Sequence, residues 1–70
     1  MNEIKEIIQR INTGLEKFVD AGIYSDIQCN MLIIEHLEIA PDELENYKNY
    51  PKLKKFYDFL LREYEKEVTK

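Results

Sequence analysis

Apolar residues recur at helical spacing along the first part of the chain. They fall within one arc of about 120° on a helical wheel. The residues of this arc are Ile4, Ile7, Ile8, Ile11, Leu15, Phe18 and Val19. The pattern predicts a helix over residues 3–21, with Asn2 as its N-cap and Gly22 in the left-handed position past its end. A capping-box spacing beside Gly14 would allow the segment to divide into two helices there. The apolar arc crosses Gly14 without changing phase, so one continuous helix is preferred.

The second apolar segment, residues 25–38, is the most distinctive part of the chain. Ser25 and Gln28 have the spacing of a capping box at its start. Ile27, Met31 and Ile34 then take one side of the predicted helix. Most of the remaining circumference is also apolar, with Cys29, Leu32, Ile33, His36 and Leu37. A helix of this kind is expected to be buried nearly all round, within its own domain or against a second chain.

If the rest of the chain leaves part of this second predicted helix uncovered, a second copy of the chain has room to pack against it. Under the hypothesis of self-association, the sequence predicts a homodimer through the helix; a foreign partner is the other molecule that could cover it. The candidate self-association residues are Cys29, Leu32, Ile33 and His36.

Two prolines mark the expected starts of two further helices. Pro41 begins a short helix over residues 41–48, which contributes mainly Leu44 and Tyr47 to the core. Pro51 begins a longer helix over residues 51–68. The buried face predicted for this last helix is Leu53, Phe56, Tyr57, Leu60, Tyr64 and Val68, with Leu61 at the margin. The fold class expected for residues 1–70 is all-α, as a compact single-domain bundle of three to four helices.

Composition narrows the setting in which the protein acts. The 70 residues carry 14 acidic and 10 basic side chains, for a formal net charge of -4, and contain one cysteine. A single cysteine in the most apolar segment is typical of a buried thiol in a reducing compartment. The longest uninterrupted apolar run, Met31 to Ile34, is far too short to span a bilayer, and the charged start of the chain lacks the apolar region of an export signal. We expect a cytoplasmic protein without a membrane segment.

Catalytic and metal-binding chemistry find little support in the residue types and their spacing. Cys29 and His36 lie two helical turns apart, about 10 Å, which is too far for both to bind one zinc ion. Cys29 also has no basic neighbour in sequence that would activate its thiol. The acidic residues from Glu35 to Glu45 lack the central glycine and alternating ligands of a calcium loop. We expect no enzyme activity, no metal and no cofactor.

A stripe of basic residues with one aromatic residue runs along one side of the last predicted helix. We call it the basic stripe; it comprises Lys52, Lys55, Phe59, Arg62 and Lys66. One interpretation makes Phe59 the anchor of a contact surface for an acidic partner, with the cations steering approach. The other packs Phe59 beneath the short helix or a dimer mate and leaves the cations as solubilising surface.

Three functions stay open on sequence alone. The leading hypothesis is a small non-enzymatic regulator or adaptor that acts through protein–protein binding. The first alternative is a nucleic-acid-associated protein that uses the basic side chains of the last helix, including Lys54, on phosphates. Sequence-specific reading by the second helix is disfavoured, because no Lys or Arg occurs from Ile23 to Tyr47. The second alternative is a self-associating structural subunit.

Overall fold

The computed structural model describes residues 2–69, which form four helices and no strand. Helix α1 spans Glu3–Asp20, α2 spans Asp26–Leu37, a 3₁₀ helix spans Pro41–Asn46, and α3 spans Tyr50–Val68. The all-α class and the small helical bundle predicted from the apolar pattern are confirmed. The predicted bounds differ from these by one residue at one end of α1 and of α3, and by one residue at each end of α2.

Side-chain caps fix the starts of the α-helices. Asn2 Oδ1 accepts hydrogen bonds from the backbone N–H groups of Ile4 and Lys5. The predicted capping box begins α2: Ser25 Oγ accepts from the Gln28 N–H at 3.2 Å, and Gln28 Oε1 accepts from the Ser25 N–H at 2.9 Å. Each cap satisfies backbone donors that have no partner within the helix. These local signals therefore set where the elements begin.

Helix α1 passes through Gly14 without a break and ends at a Schellman motif. Gly22 has φ +73°. Its N–H donates to the Val19 carbonyl at 3.0 Å, and the Ile23 N–H donates to the Phe18 carbonyl at 2.9 Å. This is the pair of bonds that defines the motif, and it turns the chain toward α2.

The short helix after Pro41 differs from the prediction. It is a 3₁₀ helix that ends at Asn46, whereas a helix to residue 48 was expected. Its hydrogen bonds include those from the Glu43 N–H to the Ala40 carbonyl and from the Tyr47 N–H to the Leu44 carbonyl. Leu44 is its only buried residue, so packing does little to offset the cost of nucleating an α-helix in so short a segment. The expected core contribution is correct, because Leu44 is buried and Tyr47 is half-buried.

Helices α1 and α3 run parallel, and α2 runs antiparallel to both. The parallel register follows from Gly14 lying opposite Leu60 and from the Phe18 ring meeting the Tyr64 ring. His36 of α2 meets Phe56 near the start of α3. The 3₁₀ helix packs against α1 and α2. Together these elements enclose a core of Ile7, Ile8, Ile11, Leu15, Phe18, Cys29, Ile33, Leu37, Leu44, Leu53, Phe56 and Leu60.

The buried face of α3 is shorter than predicted. Leu53, Phe56 and Leu60 are buried, but Val68 is 61% exposed and Tyr64 is 37% exposed. With Phe18 opposite Tyr64, Val68 would face position 22, which lies past the end of α1. The last turn of α3 therefore extends beyond the helix that covers the rest of its apolar face.

Gly14→Ala should stabilise the domain. A Cβ at this position would lie 3.9 Å from Leu60 Cδ1, an ordinary van der Waals distance. Alanine in place of glycine inside a helix contributes about 0.5–1 kcal/mol, because glycine loses more backbone freedom on folding. Urea denaturation should give a higher midpoint for the variant at an unchanged slope. A lower midpoint would show that α1 and α3 have no room for the added methyl group.

Candidate protein-binding surfaces

One face of α2 leaves large apolar side chains exposed. Ile27 is 72% exposed, Met31 is 51% exposed and Ile34 is 48% exposed. Their i, i+4, i+7 spacing aligns them on a single side of the helix. We call these three residues the α2 apolar face. The sequence groups them correctly on one side. The chain alone does not bury α2 nearly all round, so cover of this side by a second chain stays a prediction.

The residues predicted for self-association lie on the opposite side of α2. Cys29 and Ile33 are buried in the chain's own core, while Leu32 and His36 are half-buried at its edge. The first two are therefore occupied within the chain. An α2 surface for a second molecule would have to be built from the α2 apolar face.

Cys29 has the surroundings of a structural thiol. Its side chain is 6% exposed, and Sγ donates to the Leu15 carbonyl oxygen at 3.8 Å. Burial raises the pKa of the Cys29 thiol, and the negative charge of Asp26 raises it further. Both effects disfavour the thiolate, which is the reactive form of cysteine. Among residues 2–69 no group of acidic, histidine or cysteine side chains is arranged to hold a metal ion.

Acidic side chains border the α2 apolar face. Glu35 and Glu38 lie four residues after Met31 and Ile34, and both are exposed. On the other flank, Asp26 and Asn30 line a shared depression with acidic residues of the 3₁₀ helix. No Lys or Arg occurs from residue 23 to residue 47. Lys52 of α3 lies at one end of this region, where its Nζ is 3.9 Å from Glu38 Oε1 in an exposed pair, which has little strength.

Two members of the basic stripe, Lys52 and Phe59, lie beside α2. Phe59 is half-buried, and its ring centroid lies 4.4 Å from that of His36. His36 also stacks on Phe56 at 5.0 Å. Phe59 thus packs on α2, not beneath the short helix, and it is not a free apolar anchor.

The cations of the stripe differ in their surroundings. Lys55 and Arg62 are exposed. Lys66 Nζ lies 3.8 Å from Glu63 Oε2, and Lys52 pairs with Glu38. Outside the stripe, Lys54 Nζ donates to Asp58 Oδ1 at 2.8 Å, and this hydrogen bond, with the charge of Asp58, raises the Lys54 pKa. The stripe is therefore a set of solvated charges with acidic residues among them.

A groove of about 540 Å³ lies between α1 and α3, and its lining includes no residue of α2. Gly14 and Leu60 lie at the contact between the two helices, and Leu61 and Tyr64 are partly exposed along one wall. Arg10 is among the residues on the other wall. The sequence did not reveal this groove, because Tyr64 was expected in the core and Leu61 at its margin. Its walls carry both signs of charge, so it favours no class of ligand.

Within residues 2–69, no helix is long and apolar enough to cross a membrane. Comparison of the chain with protein-family models, with curated proteins and with solved structures finds no significant match. The exposed surfaces described above are therefore the basis for assigning a function.

Proposed function

We propose that this chain is a small cytoplasmic regulator or adaptor that acts by binding another protein, without catalysis of its own. The observation that carries the proposal is the α2 apolar face. Ile27, Met31 and Ile34 are adjacent on one helix and each is about half exposed or more. Contiguous apolar surface of this kind is typical of sites where another protein binds.

Energetics support the same proposal. Full burial of an isoleucine or methionine side chain contributes about 1.5–3 kcal/mol. A domain of this size has a net stability of only about 3–5 kcal/mol. The free energy that full burial of these three exposed side chains would contribute is therefore comparable with the free energy of unfolding of the whole domain. A partner that covered them would recover part of it as binding free energy.

The basic stripe supports the alternatives less well. Phe59 packs on His36, so the stripe offers charge without an apolar anchor. A net charge of -4 opposes approach to nucleic acid at long range. Protein binding through α2 is therefore preferred over phosphate binding through α3.

Photo-crosslinking from position 31 tests the proposal directly. Benzoylphenylalanine replaces Met31 in one variant and Leu61 in a matched control, since both residues are apolar and about half exposed. We expect position 31 to trap one identifiable protein in cells and position 61 to trap none. With that partner purified, the double variant Ile27→Ala, Ile34→Ala should weaken binding at least about tenfold, equivalent to about 1.4 kcal/mol.

Three other outcomes of the crosslinking would contradict the proposal. Crosslinks from position 61 alone would move the binding surface to the groove between α1 and α3. Crosslinks only to a second copy of the chain would favour the self-associating structural subunit instead. An absence of any protein adduct from position 31 would refute protein binding through α2.

A further inference from the structure

The shape of the α2 apolar face favours a helical partner. Ile27, Met31 and Ile34 form a line of about 10 Å along a convex helix surface. A second helix laid along such a line meets it with side chains at i, i+3, i+4 and i+7 spacing. Its apolar side chains would cover the three exposed residues, while its polar flanks would lie over the borders of the face.

The charge around the face selects the chemistry of that helix. Glu35 and Glu38 follow one flank, and Asp26 lies near the other. The 3₁₀ helix adds Asp42 and Glu45 beside Asp26. No Lys or Arg occurs from residue 23 to residue 47. Among residues 2–69, the only ion pair of these carboxylates is the exposed one between Glu38 and Lys52 of α3, which is weak.

A second copy of this chain is a poor match for the surface. Two α2 helices packed face to face would bring acidic borders against acidic borders, and like charges across an interface disfavour association. A helix with Lys or Arg on both sides of its apolar stripe would instead meet the carboxylates with opposite charge. Electrostatic complementarity of this kind raises specificity and the rate of association.

We propose that the α2 apolar face binds a basic amphipathic helix of a partner protein. The apolar side chains of that helix pack on Ile27, Met31 and Ile34, and its cations lie against Glu35, Glu38 and the acidic residues near Asp26. This inference rests on the proposed function, since it names the partner that the same surface recognises.

A pair of designed peptides tests the inference with the intact chain. Both are about 18 residues long, or five helical turns, with leucine at identical helical spacing. One carries lysine at its remaining positions and the other carries glutamate. Amide chemical shifts should change around residues 27, 31 and 34 on addition of the lysine peptide. The glutamate peptide should bind at least about tenfold more weakly, because its charges repel the acidic borders.

Substitutions at matched exposed positions locate the binding surface. Met31→Lys places a cation in the centre of the face and should weaken binding of the lysine peptide at least about tenfold, or about 1.4 kcal/mol. Leu61→Lys adds the same charge at a similarly exposed residue on α3 and should change the affinity by less than about twofold. Circular dichroism should show that both variants keep the parent helix content, since both positions are on the surface.

Four outcomes would overturn the inference. The first is equal binding of the two peptides, and the second is a shift pattern centred on the groove between α1 and α3. The third is concentration-dependent shifts of residues 27, 31 and 34 without peptide, which would identify a second copy as the occupant. The fourth is a crosslinked partner whose trapped segment is acidic or extended; protein binding would then stand while the basic helix would be rejected.

Discussion

Phe18→Ala should leave about half of the molecules unfolded at room temperature. Phe18 is 1% exposed at the centre of the core. Its ring meets Tyr24 edge-on at 5.1 Å and Tyr64 at 5.8 Å, so it joins the end of α1 to the α2 connection and to α3. Truncation of a buried phenylalanine costs about 3–5 kcal/mol, which equals the net stability of about 3–5 kcal/mol expected for a domain of this size.

Circular dichroism and urea denaturation measure this loss. The parent should give a cooperative transition, and Phe18→Ala should have lost much of its helical signal without urea. Phe18→Leu keeps most of the apolar volume and should cost only about 1–2 kcal/mol. Ile27→Ala removes an exposed side chain and should stay within about 0.5 kcal/mol of the parent. A Phe18→Ala transition within about 1 kcal/mol of the parent would contradict the central role of this ring.

The helices were predictable because the signals that specify them are local. The apolar arc of α1 repeats at helical spacing, and Asn2, Ser25 and Gln28 cap the backbone groups that the sequence places beside them. The Schellman motif at Gly22 is equally local, since its hydrogen bonds join residues five or fewer positions apart. The 3₁₀ form of Pro41–Asn46 was missed because it depends on how little of that segment the core covers.

The exposed surfaces were harder to predict because a helical wheel gives angles and not neighbours. Ile27 and Ile33 have the same side chain, yet one is 72% exposed and the other 5%. Only the positions of α1, α3 and the 3₁₀ helix decide which side of α2 is covered. Phe59 is a similar case, because its half-buried position depends on His36 from another helix. The sequence therefore identified which residues share this side of α2, but it did not predict that they are exposed.

Gly22→Ala should destabilise the domain by about 1–2 kcal/mol, the cost of the left-handed conformation for an L-residue. Gly22 has φ +73°, and an added Cβ would meet no atom within 4 Å. The loss would therefore come from the backbone and not from a clash. Urea denaturation should show a lower midpoint with an unchanged slope, since the surface exposed on unfolding stays the same.

Two further variants isolate the backbone effect. Gly22→D-Ala, made by chemical ligation, adds the same methyl group with a preference for positive φ and should stabilise by about 0.5–1 kcal/mol. Glu38 ends α2 with φ 58°, so Glu38→Gly should also stabilise, by about 0.5–1 kcal/mol, because glycine adopts this conformation without the steric penalty. Glu38→Gly also removes the weak exposed ion pair between Glu38 and Lys52, but this loss offsets little of the gain. Equal losses for the L- and D-alanine variants would show that position 22 is sensitive to the added methyl group and not to its conformation.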